Sequence, residues 1–124
     1  MATASLEPLA DYRAALVEMD GLRLADDRRG KRWNRCVHRV QRAQLQLRQT
    51  AEGQAAIAAL IDDPVPTVAH WAASHALFWD EDRARTHLER VAASNETGSF
   101  DARMTLQEFD AGRLRHDWQP PKHG

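Results

Sequence analysis

One cysteine, Cys36, in 124 residues excludes an internal disulfide framework and agrees with a reducing compartment. No stretch approaches the roughly 18 consecutive apolar residues that read as a membrane span. Residues 1–20 are acidic where a secretory leader would be basic and then apolar, so a cytoplasmic location is expected. Neither a glycine-rich phosphate loop nor a nucleophile elbow occurs. No segment alternates apolar and polar residues as a half-buried strand does, which leaves an all-α domain.

Hydrophobic residues make up 43% of the chain, enough for one modest core, so a single domain over residues 1–114 is expected. The remaining tail, residues 115–124, contains Trp118, Pro120 and Pro121 without periodicity and should be loosely held. The segment DDPVPTVAHWAASHALFW, residues 62–79, organises the rest. Pro66 suits a first helical turn, and Val68, Ala69, Ala72, Ala73, Ala76 and Leu77 then form a stripe of small packing residues. A second arc carries Trp71, His75, Phe78 and Trp79, leaving Thr67, His70 and Ser74 for water. An arc of that kind marks either a central helix covered on several sides or a partner site rich in tryptophan.

Further helices fit the pattern, for an expected five or six antiparallel helices in all. The first begins after Ser5 with Leu9, Tyr12, Leu16 and Met19 inward, and ends between Gly21 and Asp27. The second runs from about Lys31 to Arg48, with Trp33, Cys36, Val37, Val40, Gln44 and Leu47 as its buried face. A short third, with Ala56, Ile57, Leu60 and Ile61, stops at Asp62-Asp63-Pro64, whose acids read as turn residues. Asp80 should cap the fifth, which turns Ala84, Leu88 and Val91 inward. Ser99 should cap the sixth, with Ala102, Leu106 and Phe109 inside, Gly112 as its left-handed stop and Leu114 folding back.

The net charge of −1 hides a segregation. Residues 1–27 hold six acids and two bases, residues 28–48 hold eight bases and no acid, and the remainder holds twelve acids and seven bases. Arg32, Arg35, Arg39 and Arg42 stack along one side of the second helix, joined by Arg28 if that helix starts early. Three readings of that stripe stand. The acids Asp11, Glu18, Asp20, Asp26 and Asp27 neutralise it within the fold; it meets an acidic protein surface; or it tracks nucleic-acid phosphates. The flanking acidic segments, and the lack of aromatics among the arginines, place nucleic acid behind a protein partner.

Catalytic, metal and cofactor chemistry find no constellation. His70 and His75 are five apart and fall on different sides of one helix, unlike the i, i+4 pair of a zinc helix. His38, His87, His116 and His123 are scattered, and Cys36 lies on an apolar face where a thiol acts as a small hydrophobe. No enzyme, metal site or cofactor is expected.

The run Asp62-Asp63-Pro64, Pro66-Thr67-Val68, Ala72-Ala73, Ala76-Leu77, followed by an acid-capped helix, resembles a HEAT-type repeat. Ala69 and His70 stand where that pattern usually has an arginine after the valine, so no role of that arginine transfers. More broadly, residues 9–114 resemble a bacterial family of unknown function built as short HEAT-like domains. The likeness rests on Asn34-Arg35, the D-x-x-P-x-V turn of Asp63, Pro66 and Val68, Ala84 through Leu88, and Ala102-x-Met104-Thr105-Leu106 with Phe109, Gly112 and Leu114. Relatives of that kind are often encoded beside polymorphic or contact-dependent toxins. The resemblance therefore implies an immunity protein that binds and neutralises a cognate toxin domain; a monomer is expected rather than a homo-oligomer. Candidate partner-binding residues are Arg32, Arg35, Arg39, Arg42, Trp71, His75 and Trp79. A nucleic-acid-binding helical-repeat module and a regulatory adaptor are the alternatives.

Overall fold

The computed structural model describes residues 6–24 and 30–114. Glu7 and Pro8 open helix α1, Glu7–Leu24, consistent with the tolerance of a first turn for proline and its preference for an acid. It continues through Gly21 and buries Tyr12, Ala15, Leu16, Met19 and Leu22 at helical spacing. Helix α2, Lys31–Leu47, lies against α1 and buries Cys36, Val40, Ala43, Gln44 and Leu47.

The corner from α2 into α3, Ala51–Ala59, is tight. Thr50 caps α3 by accepting the Gly53 amide at 3.0 Å. A Cβ at Gly53 would run into the Leu47 carbonyl, so this close approach of backbones requires glycine. A 3₁₀ turn, Leu60–Asp62, then leads to Asp63, whose carboxylate accepts the Val65 amide at 2.9 Å and sets up Pro66 as the first residue of helix α4, Pro66–Ala76.

Helix α4 is central. It packs on α1, α3 and α5, Glu81–Ala92, and buries Val68, Ala69, Ala72, Ala73, His75 and Ala76. Small alanines permit those close approaches. Two side-chain links tie its start to α1: Arg13 donates to Asp63 at 2.7 Å, and the Thr67 hydroxyl donates to Asp20 at 2.7 Å. Leu16 and Leu88 are fully buried in the shared core, each contributing roughly 1.5–3 kcal/mol of hydrophobic stabilisation.

Helix α6, Ser99–Asp110, packs on α5. Arg85 clamps that pair by donating to Asp110 at 2.6 Å and to Glu81 at 3.2 Å, with its guanidinium 5.7 Å from the Phe109 ring. Gly112 stops α6 at φ 73, returning the amides of Arg113 and Leu114 to the Glu108 carbonyl. Leu114 packs back on the core as expected.

Two cap assignments need correction. Asp80 precedes α5, but its side chain makes no cap hydrogen bond. Ser99 is already helical, and the chain reaches it through Gly98 at φ 96. Ser5, Arg28 and the tail lie outside the described residues. Among the described residues the fold is all-helical, with six α-helices and no strand, and no helix is long and apolar enough to cross a membrane.

Candidate functional site

Helix α2 presents two different flanks. With about 100° per residue, its core line of Cys36, Val40, Ala43 and Leu47 separates the arginines on one side from Trp33 and Gln41 on the other.

On the arginine flank, α1 supplies acids within reach. Arg39 donates to Asp11 at 2.6 Å and lies 3.6 Å from Glu18, which also sits 3.6 Å from Arg32. Asp20, also expected to answer the stripe, accepts the Thr67 hydroxyl at 2.7 Å. Arg35 and Arg42 are exposed and form no ion pair with any described residue. Arg42 instead borders a shallow depression with Glu7, Pro8 and Thr50. The stripe is therefore half neutralised and half open.

Cys36 lies beneath this flank, 1% exposed. Burial, and then the Glu18 carboxylate, push its thiol pKa up, against the opposing charges of Arg39 and Arg32. That combination disfavours the thiolate a nucleophile would need.

The other flank borders a groove of about 930 Å³. Helix α4 contributes His70, Trp71 and His75, α2 contributes Trp33, α5 contributes His87, and α6 contributes Asp101 and Met104. His70 and His75 thus line one groove despite their offset around the helix. Thr67, His70 and Ser74, expected to face water, are half-buried; the Ser74 hydroxyl donates to the His70 carbonyl at 2.9 Å. His75 is buried, with Nδ1 2.8 Å from the Tyr12 hydroxyl and Trp71 edge-on at 6.0 Å between ring centroids.

Burial shifts all three imidazoles toward the neutral form. His75 is pushed down to about 3, first by burial and then by the cationic fields of Arg48 and His70. His70 is lowered chiefly by burial, partly offset by Asp101, and His87 by burial and Arg90. Among the described residues no group of three or more His, Cys, Asp and Glu is placed to hold a metal ion.

Trp79 belongs to neither flank. Its indole N–H donates to the Gln54 carbonyl at 2.9 Å and its ring lies 5.5 Å from the Arg48 guanidinium, so it braces the α2–α3 corner. The structure brings Trp71 and His75 together, separates both from the arginines and sets Trp79 apart. Sequence reasoning missed Trp33, Met104 and Asp101 as groove residues. Trp33 was readable only as core, and the other two lie on a helix whose docking angle no local pattern reveals.

No protein-family model and no curated protein matches the chain. The crystal structure of the protein RPA1889 from Rhodopseudomonas palustris CGA009 is similar in fold, with a TM-score of 0.76 and 21% identity over 98% of this chain and 99% of that one. A likeness at that identity speaks for the shared fold.

Proposed function

We propose that this chain is a non-catalytic protein-binding domain on a short HEAT-like scaffold, and that its partner is a cognate bacterial toxin domain which it neutralises. The observation that carries the protein-binding part is the incomplete neutralisation of α2. Acids of α1 engage Arg32 and Arg39, while Arg35 and Arg42 stay exposed without an ion pair among the described residues. Planar, multi-donor arginines on an outward helix face suit carboxylates of a partner, steering association and setting partner choice more than adding affinity. Burial and the Glu18 carboxylate raise the Cys36 thiol pKa, which supports a role by occlusion rather than by thiolate chemistry. The D-x-x-P turn that opens α4, followed by the packed α4–α5 pair, supports the HEAT-like description.

The test compares wild-type protein with an Arg35→Glu, Arg42→Glu double variant as tagged bait in host lysate, with mass spectrometry after a high-salt wash. A single secreted-toxin fragment held by the wild type and lost by the double variant is the expected result. Retention of nucleic acid with a steep salt slope would favour phosphate binding instead. Equal retention by both proteins would remove this face from the interface.

A further inference from the structure

The groove on the opposite flank of α2 has an unmatched donor in its wall. His75 is 9% exposed and lines the groove, and Tyr12, which is fully buried, contacts its Nδ1. The Tyr12 hydroxyl has no other acceptor among the described residues, so it donates to Nδ1 and the proton of the neutral ring sits on Nε2. No described oxygen or nitrogen accepts that proton; Trp71 only meets the ring edge-on. A buried donor without an acceptor is costly, and an acceptor from outside the chain relieves that cost.

The remaining groove chemistry narrows what else that outside group carries. Arg90 is held by Glu96 at 3.1 Å and Asp63 by Arg13 at 2.7 Å, whereas Asp101 has no ion pair among the described residues. The uncompensated charge in the wall is therefore negative. Its field reaches His70, one helical turn and a half from His75, about 7.5 Å along the α4 axis. Trp33 and Trp71 add aromatic surface to the same groove, and the neutral imidazoles of His70 and His87 add acceptors. Arginine answers each feature. Its own carbonyl is an acceptor, its apolar stem spans a length comparable to that separation, and its planar guanidinium stacks on aromatic rings while donating to a carboxylate.

We propose that this groove receives an arginine-bearing segment of a partner protein, the arginine's backbone carbonyl accepting from His75 Nε2–H and its guanidinium lying along the tryptophans toward Asp101. The assignment rests on the protein-binding reading, but it names a different face and the opposite charge. Arg35 and Arg42 meet acids, while the groove takes a base.

The test is a titration of the intact, ¹⁵N-labelled protein with the capped tripeptide acetyl-Gly-Arg-Gly-amide, followed through the histidine and indole resonances to about 10 mM, because a single anchor binds weakly. The expected result is a downfield shift of the His75 Nε2 proton together with shifts of the Trp33 and Trp71 indoles. Three comparisons read the parts. The isosteric citrulline tripeptide, which lacks the charge, should bind about threefold to tenfold more weakly. Agmatine, which lacks the carbonyl, should leave the His75 proton unshifted. Free arginine, whose carboxylate meets the negative wall, should bind more weakly than the tripeptide.

Asp101→Asn, an exposed change in the first turn of α6, should weaken the arginine tripeptide by about threefold and leave the citrulline tripeptide unchanged. Silence of the His75 and indole resonances would overturn the proposal and leave water as the partner of His75. Equal binding of the citrulline tripeptide, tighter binding of free arginine, or indifference to Asp101→Asn would also overturn it. None of these results depends on Arg35 or Arg42, so a failed groove and a failed arginine face are distinguishable.

Discussion

The two flanks of α2 treat their polar groups in opposite ways. On the arginine flank the charges are exposed and α1 answers them with acids, so Arg32 and Arg39 sit in pairs that water screens. On the groove flank the polar groups are imidazoles, drawn into the protein and kept neutral by burial. An exposed pair contributes little either way, whereas a buried ring with half its hydrogen-bonding capacity met is costly to disturb. Charge density in the sequence therefore points to the flank where individual residues matter least to the fold.

The largest contrast should come from acid. In the unfolded chain His75 takes up a proton near pH 6.5, while the folded protein refuses it until about 3, so stability is intact above 6.5 and drains away as pH falls through that window. The loss reaches up to roughly 4–5 kcal/mol at the low end. Urea unfolding at pH 7, 5 and 4 measures it, and a Tyr12→Phe, His75→Phe double variant should flatten the slope. The Arg13 partner holds the Asp63 carboxyl below its ordinary range, so a further loss should appear as pH falls through the carboxylate region.

Next in size is Trp71→Ala. A fully buried tryptophan would cost about 3–5 kcal/mol, and this half-buried one should cost about 2, with the groove tripeptide losing affinity as well. A melting temperature equal to wild type would show that Trp71 is held by nothing but the site.

Smaller still is the effect of Asp11→Asn with Glu18→Gln, which releases Arg39 and Arg32. Stability should change by less than about 1 kcal/mol, while retention on a sulfonate cation exchanger rises. A large destabilisation would mean that the pairs organise the α1–α2 contact. Last comes Arg35→Glu, which should leave denaturant stability within about 0.5 kcal/mol and act only on the rate at which a partner associates.

The helices were legible because their punctuation is local. Pro66 opens α4 as expected, the apolar period of α2 ends within a residue of the expected stop, and Gly112 closes α6 in the left-handed conformation. Where the reading slipped, the deciding contact comes from elsewhere in the chain. Asp80 and Ser99 have the right residue types for caps, but neither side chain forms the cap bond. His70 and Ser74 fall on the polar side of α4, which packs on α5 and lines the groove that α6 also borders. Half of the arginine neutralisation followed from charge blocks; which two arginines stay open depends on how α1 and α2 are rotated against each other. The groove has no local signature, since Trp33 and Asp101 are 68 positions apart and meet only through the fold.

The links from Arg13 to Asp63 and from Thr67 to Asp20 join segments about fifty positions apart in the chain, and with the shared core they favour α1 and α4 opening as one unit. Amide exchange should therefore be slow and nearly uniform across both. Helix α6 stands at the other extreme: Ala102 is its single fully buried residue, Phe100 is 63% exposed, and its packing rests on α5. Its amides should exchange first, through a local opening far below the global unfolding free energy. Because α6 carries one wall of the groove, that opening should change the width of the groove from the α6 side while α1 and α4 stay closed.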